Sequence, residues 1–273
     1  MDRREALRHF GFGGAGAGLM AHRALARRDQ SRRARTRSDV RVVDVVLENA
    51  SVFRSGPQGG RVEHDLSVRI AGNRIVEVGP GRLAGGDRID LTGHLLLPGL
   101  ISGHTHVAAG SPTRGIIESG RSYARPLTLM AEQLLGEEIE ALTAYNLTEL
   151  LLSGCTSQVE MSMSHPQART YARVARRIGA RGWVGGMVPG IRRLFPIWFG
   201  SDEDLAASEA DTLLEIRANL SFAEALSREG DGLLHGMMTP HAADTQTPAT
   251  LEAFAQAAAR LGTGIHTHLS QGQ

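Results

Sequence analysis

The stretch Leu97-Pro98-Gly99-Leu100-Ile101-Ser102-Gly103-His104-Thr105-His106 decides how this chain is read. It reads as a buried strand that ends in two histidines. In a strand, residues i and i+2 point to the same side. His104 and His106 therefore present two imidazoles to one point, a geometry suited to a divalent metal. His-x-His alone is a short motif, and two polar residues closing a strand explain it as well. The surrounding sequence gives it weight.

Upstream, residues 42–97 alternate and turn like β structure. Val42 to Leu47 and Val62 to Ile70 are candidate strands, and Ile75 to Val78 is another. Gly72-Asn73 between the last two is a hairpin signal, because both residues tolerate positive φ. Ile89 to His94 makes a short strand and turn, and Leu95-Leu96-Leu97 leads into Pro98-Gly99.

Downstream, helical and strand-like segments alternate, the pattern of an α/β barrel. Ala131 to Leu152 is helical, and Gly154 to Met161 is strand-like. Gln167 to Ile178 is helical, and Gly182 to Val188 is strand-like. Asp202 to Arg228 is a long helix with Ser201 as N-cap, and Leu233 to Met238 is the next strand. Pro248 to Leu261 is a helix with Thr247 as N-cap and proline at its first position. Gly264 to Leu269 is a fifth strand, and it carries a second His-x-His, His266-Thr267-His268.

Together these motifs resemble the amidohydrolase superfamily, in its deaminase and triazine-hydrolase branch. A β hairpin with Gly-Asn, then Leu-Leu-Leu-Pro-Gly-Leu-Ile-Ser-Gly-His-Thr-His, is similar to the entry of that family's barrel. The resemblance covers nearly everything after residue 42. It implies a (β/α)8 TIM barrel, here incomplete at about five βα units, behind a small N-terminal β-sandwich. The expected domains are a leader and linker over 1–40, the β-sandwich over 41–97 and the barrel over 98–273. By the same match His268 is the third metal ligand, and His266 is a pocket residue beside it. Met238-Thr239-Pro240-His241 matches a Pro-His that contacts substrate in this branch, so His241 is expected to bind substrate. Ser102 stands where the family usually has Asp or Asn, and it can still cap the local turn.

The implied chemistry is hydrolysis of non-peptide carbon–nitrogen bonds in a small-molecule substrate. One divalent metal, zinc with iron as the alternative, lowers the pKa of a bound water from about 15.7 to about 7. The hydroxide attacks a planar, electrophilic carbon. All 30 basic residues are arginine, so no carboxylated lysine can bridge two metals, which favours one ion. Gln271 stands three residues after His268, where the family's deaminases have a proton-shuttling Glu. Gln271 can hydrogen-bond to substrate, but it has no useful pKa for proton transfer. Glu160 is an acid on the second barrel strand, with a structural role expected. The family also draws a histidine from its sixth strand and a catalytic aspartate from its eighth. This sequence stops at Gln273, so both are expected beyond it, in a longer enzyme. Two other readings stand beside this one: a non-catalytic fragment or half-site, and a dipeptidase or halide-releasing hydrolase of the same superfamily.

Composition narrows the classes. At 41% apolar and 22% charged residues, the chain can bury a core and is neither disordered nor fibrous. No apolar run is long enough to span a bilayer, so stable membrane insertion is not expected. Arginines cluster between Arg3 and Arg41, outside any folded face, and aromatics are only 4%, which speaks against nucleic acid as partner. A homo-oligomer is compatible with the pattern. The lone Cys155 excludes an intrachain disulfide and reads as a buried small residue. Arg3-Arg4, the soft apolar stretch Phe10 to Ala21 and the small residues after it resemble a twin-arginine export signal, with a basic linker from Arg27 to Arg41. A periplasmic location follows as an expectation, a cytoplasmic one with a basic tail as its alternative. Arg114, Glu118, Arg121 and Arg125, in the loop from Ala108 to Pro126, are expected to line the pocket or simply to face solvent.

Overall fold

The structure is a computed structural model that describes residues 44–57, 59–107, 136–191, 205–230 and 232–269. The expected export signal and linker, the loop after Ala108, the expected cap Ser201 and Gln271 lie outside the described residues. Two compact units divide the chain, Met1–Leu97 and Pro98–Gln273. Among the described residues no helix is long and apolar enough to cross a membrane.

In the first unit, β1 (Asp44–Gly56), β2 (Gly59–Ala71), β3 (Arg74–Pro80) and β4 (Asp87–Asp90) form one sheet in the order β3-β2-β1-β4, and β5 (Leu95–Leu96) pairs with β1. Alternation puts Ala50 and Val52 of β1 against Leu66 and Val68 of β2 in a small buried cluster. Two register shifts interrupt the β1–β2 ladder. Each has a non-glycine residue in the left-handed region beside it, Asn49 at φ 59° and Asp65 at φ 54°. Asn and Asp tolerate that region best among L residues, so the bulges bend the sheet at low strain. The hairpin at Gly72-Asn73 differs from expectation in one respect. Gly72 has φ 62°, whereas Asn73 stays at negative φ. That is the sign pattern of a II′ turn rather than I′, and it needs glycine only at the first position.

The second unit alternates β6 (Leu100–Thr105), α1 (Gly136–Leu152), β7 (Cys155–Ser162), α2 (His165–Ile178), β8 (Arg181–Gly186), α3 (Leu205–Glu229), β9 (Leu234–Gly236) and α4 (Pro248–Leu261). The strands are parallel in the order β6-β7-β8-β9. This is the αβ repeat of a TIM barrel, incomplete over these residues. Helix ends follow their local chemistry. Ser164 caps α2 and Gly179 closes it at φ 85°. Thr247 and Thr250 form a reciprocal capping box on α4, behind which Pro248 enters the first turn. Leu147, Tyr171, Val174, Val184, Leu226 and Leu234 pack the helices on the sheet, and Phe254 and Met238 anchor a second cluster under α4. α3 crosses so close to β9 that a Cβ on Gly236 would fall 2.3 Å from the Ala223 Cα.

Three expectations need correction. β6 pairs with β7 alone among the described residues, so Leu100 and Ile101 are exposed, at 57% and 65%, rather than buried. Cys155 is half-buried. Residues 264–269 are not a continuous strand: Ile265 bridges Met238 and His268 bridges Ala242 as isolated parallel pairs. The partner segment explains this. Pro240 has no N–H to donate, the His241 N–H is spent on Val188 O (2.9 Å), and the chain turns at once into a short 3-10 helix, Ala243–Thr245.

Candidate metal centre

His104 and His106 stand at the C-terminal end of β6, where barrel enzymes place their chemistry. Their rings lie edge to face with centroids 4.6 Å apart. The His106 Nδ1–H donates to Met161 O on β7 (2.6 Å). That bond fixes the tautomer and turns the Nε2 lone pair toward the neighbouring rings. His268 is tied in the same way: its Nδ1–H donates to His241 O (2.6 Å), and its backbone N–H donates to the same oxygen (3.1 Å). In His104, Nδ1 faces Nε2 of His266 at 2.6 Å.

These ties leave three Nε2 atoms converging. His104 to His106 is 3.1 Å, His106 to His268 is 3.2 Å, and His268 to His104 is 3.3 Å. Among the described residues these histidines are the one group with the spacing to hold an ion. Metal–nitrogen bonds of about 2.0–2.1 Å at tetrahedral angles set ligand nitrogens about 3.3 Å apart. The donor set therefore fits a small divalent cation. It is not self-satisfied: His106 and His268 spend their Nδ1 protons on backbone carbonyls, so their two Nε2 lone pairs face each other at 3.2 Å with no proton of their own between them.

Electrostatics point the same way. Burial, then the neighbouring rings His104, His268 and His241, push the His106 pKa down to about 4. Burial and the His266 and His268 rings lower His104. His241 is 2% exposed, and burial followed by repulsion from His268 takes it to about 4. A neutral imidazole keeps the nitrogen lone pair that binds a metal or accepts a hydrogen bond.

Of the residues expected from the sequence, His104, His106 and His268 come together, with His241 beside His268 at 5.2 Å between ring centroids. His266 meets His104, as a pocket neighbour would. Gln271 lies outside the described residues. Glu160 was expected to be structural, and its contacts, which the sequence did not show, lie beneath β6. Thr105, between the two histidines, points the other way and donates to Glu160 (2.8 Å), and Asn146 of α1 donates to Val107 O. The only signal was parity: Gln158, Glu160 and Ser162 share the face of β7 turned toward the helices.

Residues 95–273 match the model of the amidohydrolase family. The chain belongs to this family. A 5-methylthioadenosine/S-adenosylhomocysteine deaminase of Pelotomaculum thermopropionicum is 30% identical over 248 residues, covering 84% of this chain and 50% of that protein. A 5'-deoxyadenosine deaminase of Methanosarcina acetivorans is 27% identical over 239 residues, covering 84% and 49%. The chain spans about half the length of the curated relatives it matches. Among solved structures, a triazine hydrolase from Arthrobacter aurescens superposes with TM-score 0.66 at 20% identity, over 82% of this chain and 52% of that one. An adenosine deaminase from Xanthomonas campestris with bound zinc superposes with TM-score 0.60 at 22% identity, over 82% and 49%. These two structures share the fold.

Proposed function

We propose that this chain carries the metal-binding part of a hydrolase that removes an amino group from a heteroaromatic ring, with zinc held by His104, His106 and His268. The observation that carries the reading is the triangle of three Nε2 atoms at 3.1–3.3 Å, two of them with the lone pair turned inward by an Nδ1–H donation to a backbone carbonyl. The relatives named for deaminating adenosine-type nucleosides support an aminated purine nucleoside as substrate.

A bound divalent ion supplies Lewis-acid activation of water at neutral pH. The rest belongs to the chain. The carbonyls of Met161 and His241 orient two of the ligand rings. His241 is neutral at physiological pH, so it meets substrate as an ordinary hydrogen-bonding imidazole and not as an imidazolium. Gln271 can position a ring nitrogen or leaving group, but it cannot relay a proton. Proton transfer therefore falls to another group.

Two measurements test this. Zinc content after chelation and reconstitution should be one ion per chain, and His104→Ala and His106→Ala should abolish it. Ammonia release from 5′-methylthioadenosine and 5′-deoxyadenosine is then followed with the full product of the gene. Bound zinc without ammonia release refutes the substrate class alone, whereas a chain that takes up no zinc refutes the whole reading. We also propose export through the twin-arginine route, supported by Arg3-Arg4 and the apolar stretch after them. Periplasmic fractionation tests this, with the Arg3→Gln/Arg4→Gln variant retained in the cytoplasm.

A further inference from the structure

We propose that Glu160 is a positioning residue that sets the geometry of His106 from the opposite face of the sheet. This rests on the metal reading of His104, His106 and His268. Glu160 is fully buried. Its Oε2 accepts from the Thr105 hydroxyl (2.8 Å) and from the Val107 backbone N–H (2.9 Å), and its Oε1 accepts from the Ser162 hydroxyl (2.8 Å). Thr105 and Val107 are the two residues that flank His106. One carboxylate oxygen thus grips the chain on both sides of a single ligand. The next residue on β7, Met161, takes the His106 Nδ1–H on its carbonyl. Val107 is held from its other side by Asn146 of α1.

The chemistry of this carboxylate calls for an explanation beyond packing. Three uncharged donors hold it, and a buried carboxylate costs more than an aliphatic residue of similar size. What the costly group provides is position. Glu160 shares its face of β7 with Gln158, which accepts from Tyr171 of α2, so it reaches β6 from the helix side. There it meets Thr105, the residue whose side chain points away from the histidine pair. With Thr105 and Val107 pinned, the backbone of His106 has little freedom, and its ring can only aim at His104 and His268.

The test uses the full chain and Co2+, followed by its visible absorption and by competition with a chelator. Thr105 and Ser162 donate to the same carboxylate at the same distance, but only Thr105 flanks His106. Glu160→Ala should weaken Co2+ binding by about 10–100-fold, as loss of outer-sphere support does elsewhere. Glu160→Gln should restore it to within about 3-fold, because Oε1 can accept from Thr105 and Val107 while Nε2 donates to Ser162. Thr105→Val should weaken binding by about 5–10-fold, and Ser162→Ala by less than about 2-fold. A purely structural carboxylate predicts equal losses for Thr105→Val and Ser162→Ala, and that result overturns the proposal. So does wild-type affinity in a folded Glu160→Ala chain. If Glu160→Ala does not fold, the Thr105/Ser162 pair decides. A wild-type chain that binds no Co2+ refutes the metal reading instead, and the proposal falls with it.

Discussion

Replacing Glu160 with glutamine should change how stability depends on pH. Burial raises the Glu160 carboxyl from 4.5 to about 7, against the lowering effect of its bonds to Val107, Thr105 and Ser162. Below pH 4.5 the group is protonated in the folded and unfolded chain alike, and it contributes nothing. Between 4.5 and about 7 the unfolded chain releases the proton while the folded chain keeps it. The folded state then binds more protons, so stability falls as pH rises. Above about 7 the full cost is present. The interval from 4.5 to about 7, at about 1.36 kcal/mol per pH unit, makes that cost about 3 kcal/mol. Glutamine has no such term. Urea unfolding of the metal-free wild type and of Glu160→Gln, followed by tryptophan fluorescence at several values between pH 4.5 and 8.5, measures the difference. Histidine terms are common to both chains and cancel. The stability difference should move in favour of the variant by about 3 kcal/mol across this range. Parallel curves would show that the carboxylate is solvated or ion-paired, and the argument from its burial would fail.

Four other outcomes follow from the same structure. His268→Ala removes one of three nitrogens, and Zn2+ affinity should drop by at least about 100-fold in a chelator competition, since a site of about 10–16 kcal/mol is shared among few ligands. His106 and His241 sit near pKa 4 in the folded chain, against an ordinary 6.5. Their contribution is fully present above 6.5 and is lost as pH falls toward 4, so His241→Gln should flatten the acid limb of the urea midpoint. Gly236→Ala forces a Cβ to 2.3 Å from the Ala223 backbone and should cost about 1–3 kcal/mol by denaturant unfolding. Gln271→Glu, made in the full gene product, should change ammonia release by less than about 10-fold, because proton transfer already rests on another group; a gain of about 10²–10⁴-fold, the usual worth of a general acid–base, would show that no other group does this work.

The sequence made some of this legible and hid the rest, for physical reasons. Local rules were enough for α4, whose proline, threonine cap and closing Gly262 all act within one turn. The His-x-His pair was legible because strand alternation fixes which side chains share a face. Convergence with His268, 162 residues after His106, could come only through the family resemblance, because no local pattern encodes a long-range contact. The fifth strand was overread: alternation around His266 and His268 is real, but the regularity of a ladder depends on its partner, and Pro240 breaks that partner. Glu160 was read as structural, without its partners. Its significance depends on what lies across β6, and a single strand's sequence does not carry that.

The way these histidines are held ties the candidate site to strand register. Two of the three rings donate to backbone carbonyls of neighbouring segments, Met161 O on β7 and His241 O after β9, rather than to side chains. A backbone acceptor cannot be mutated away, but it moves whenever its strand slips. A one-residue slip of β7 against β6 would exchange the faces of the strand, carrying Glu160 from the Thr105 side to the histidine side and taking the Met161 carbonyl out of reach of His106. Assembly of the triangle therefore depends on correct pairing of β6 with β7, and an ion bound there stabilises that pairing over its alternatives. The same coupling explains why the support under His106 is polar. An apolar residue at position 160 would pack in either register, whereas a carboxylate with donors at Thr105 and Val107, on the neighbouring segment, is satisfied in only one.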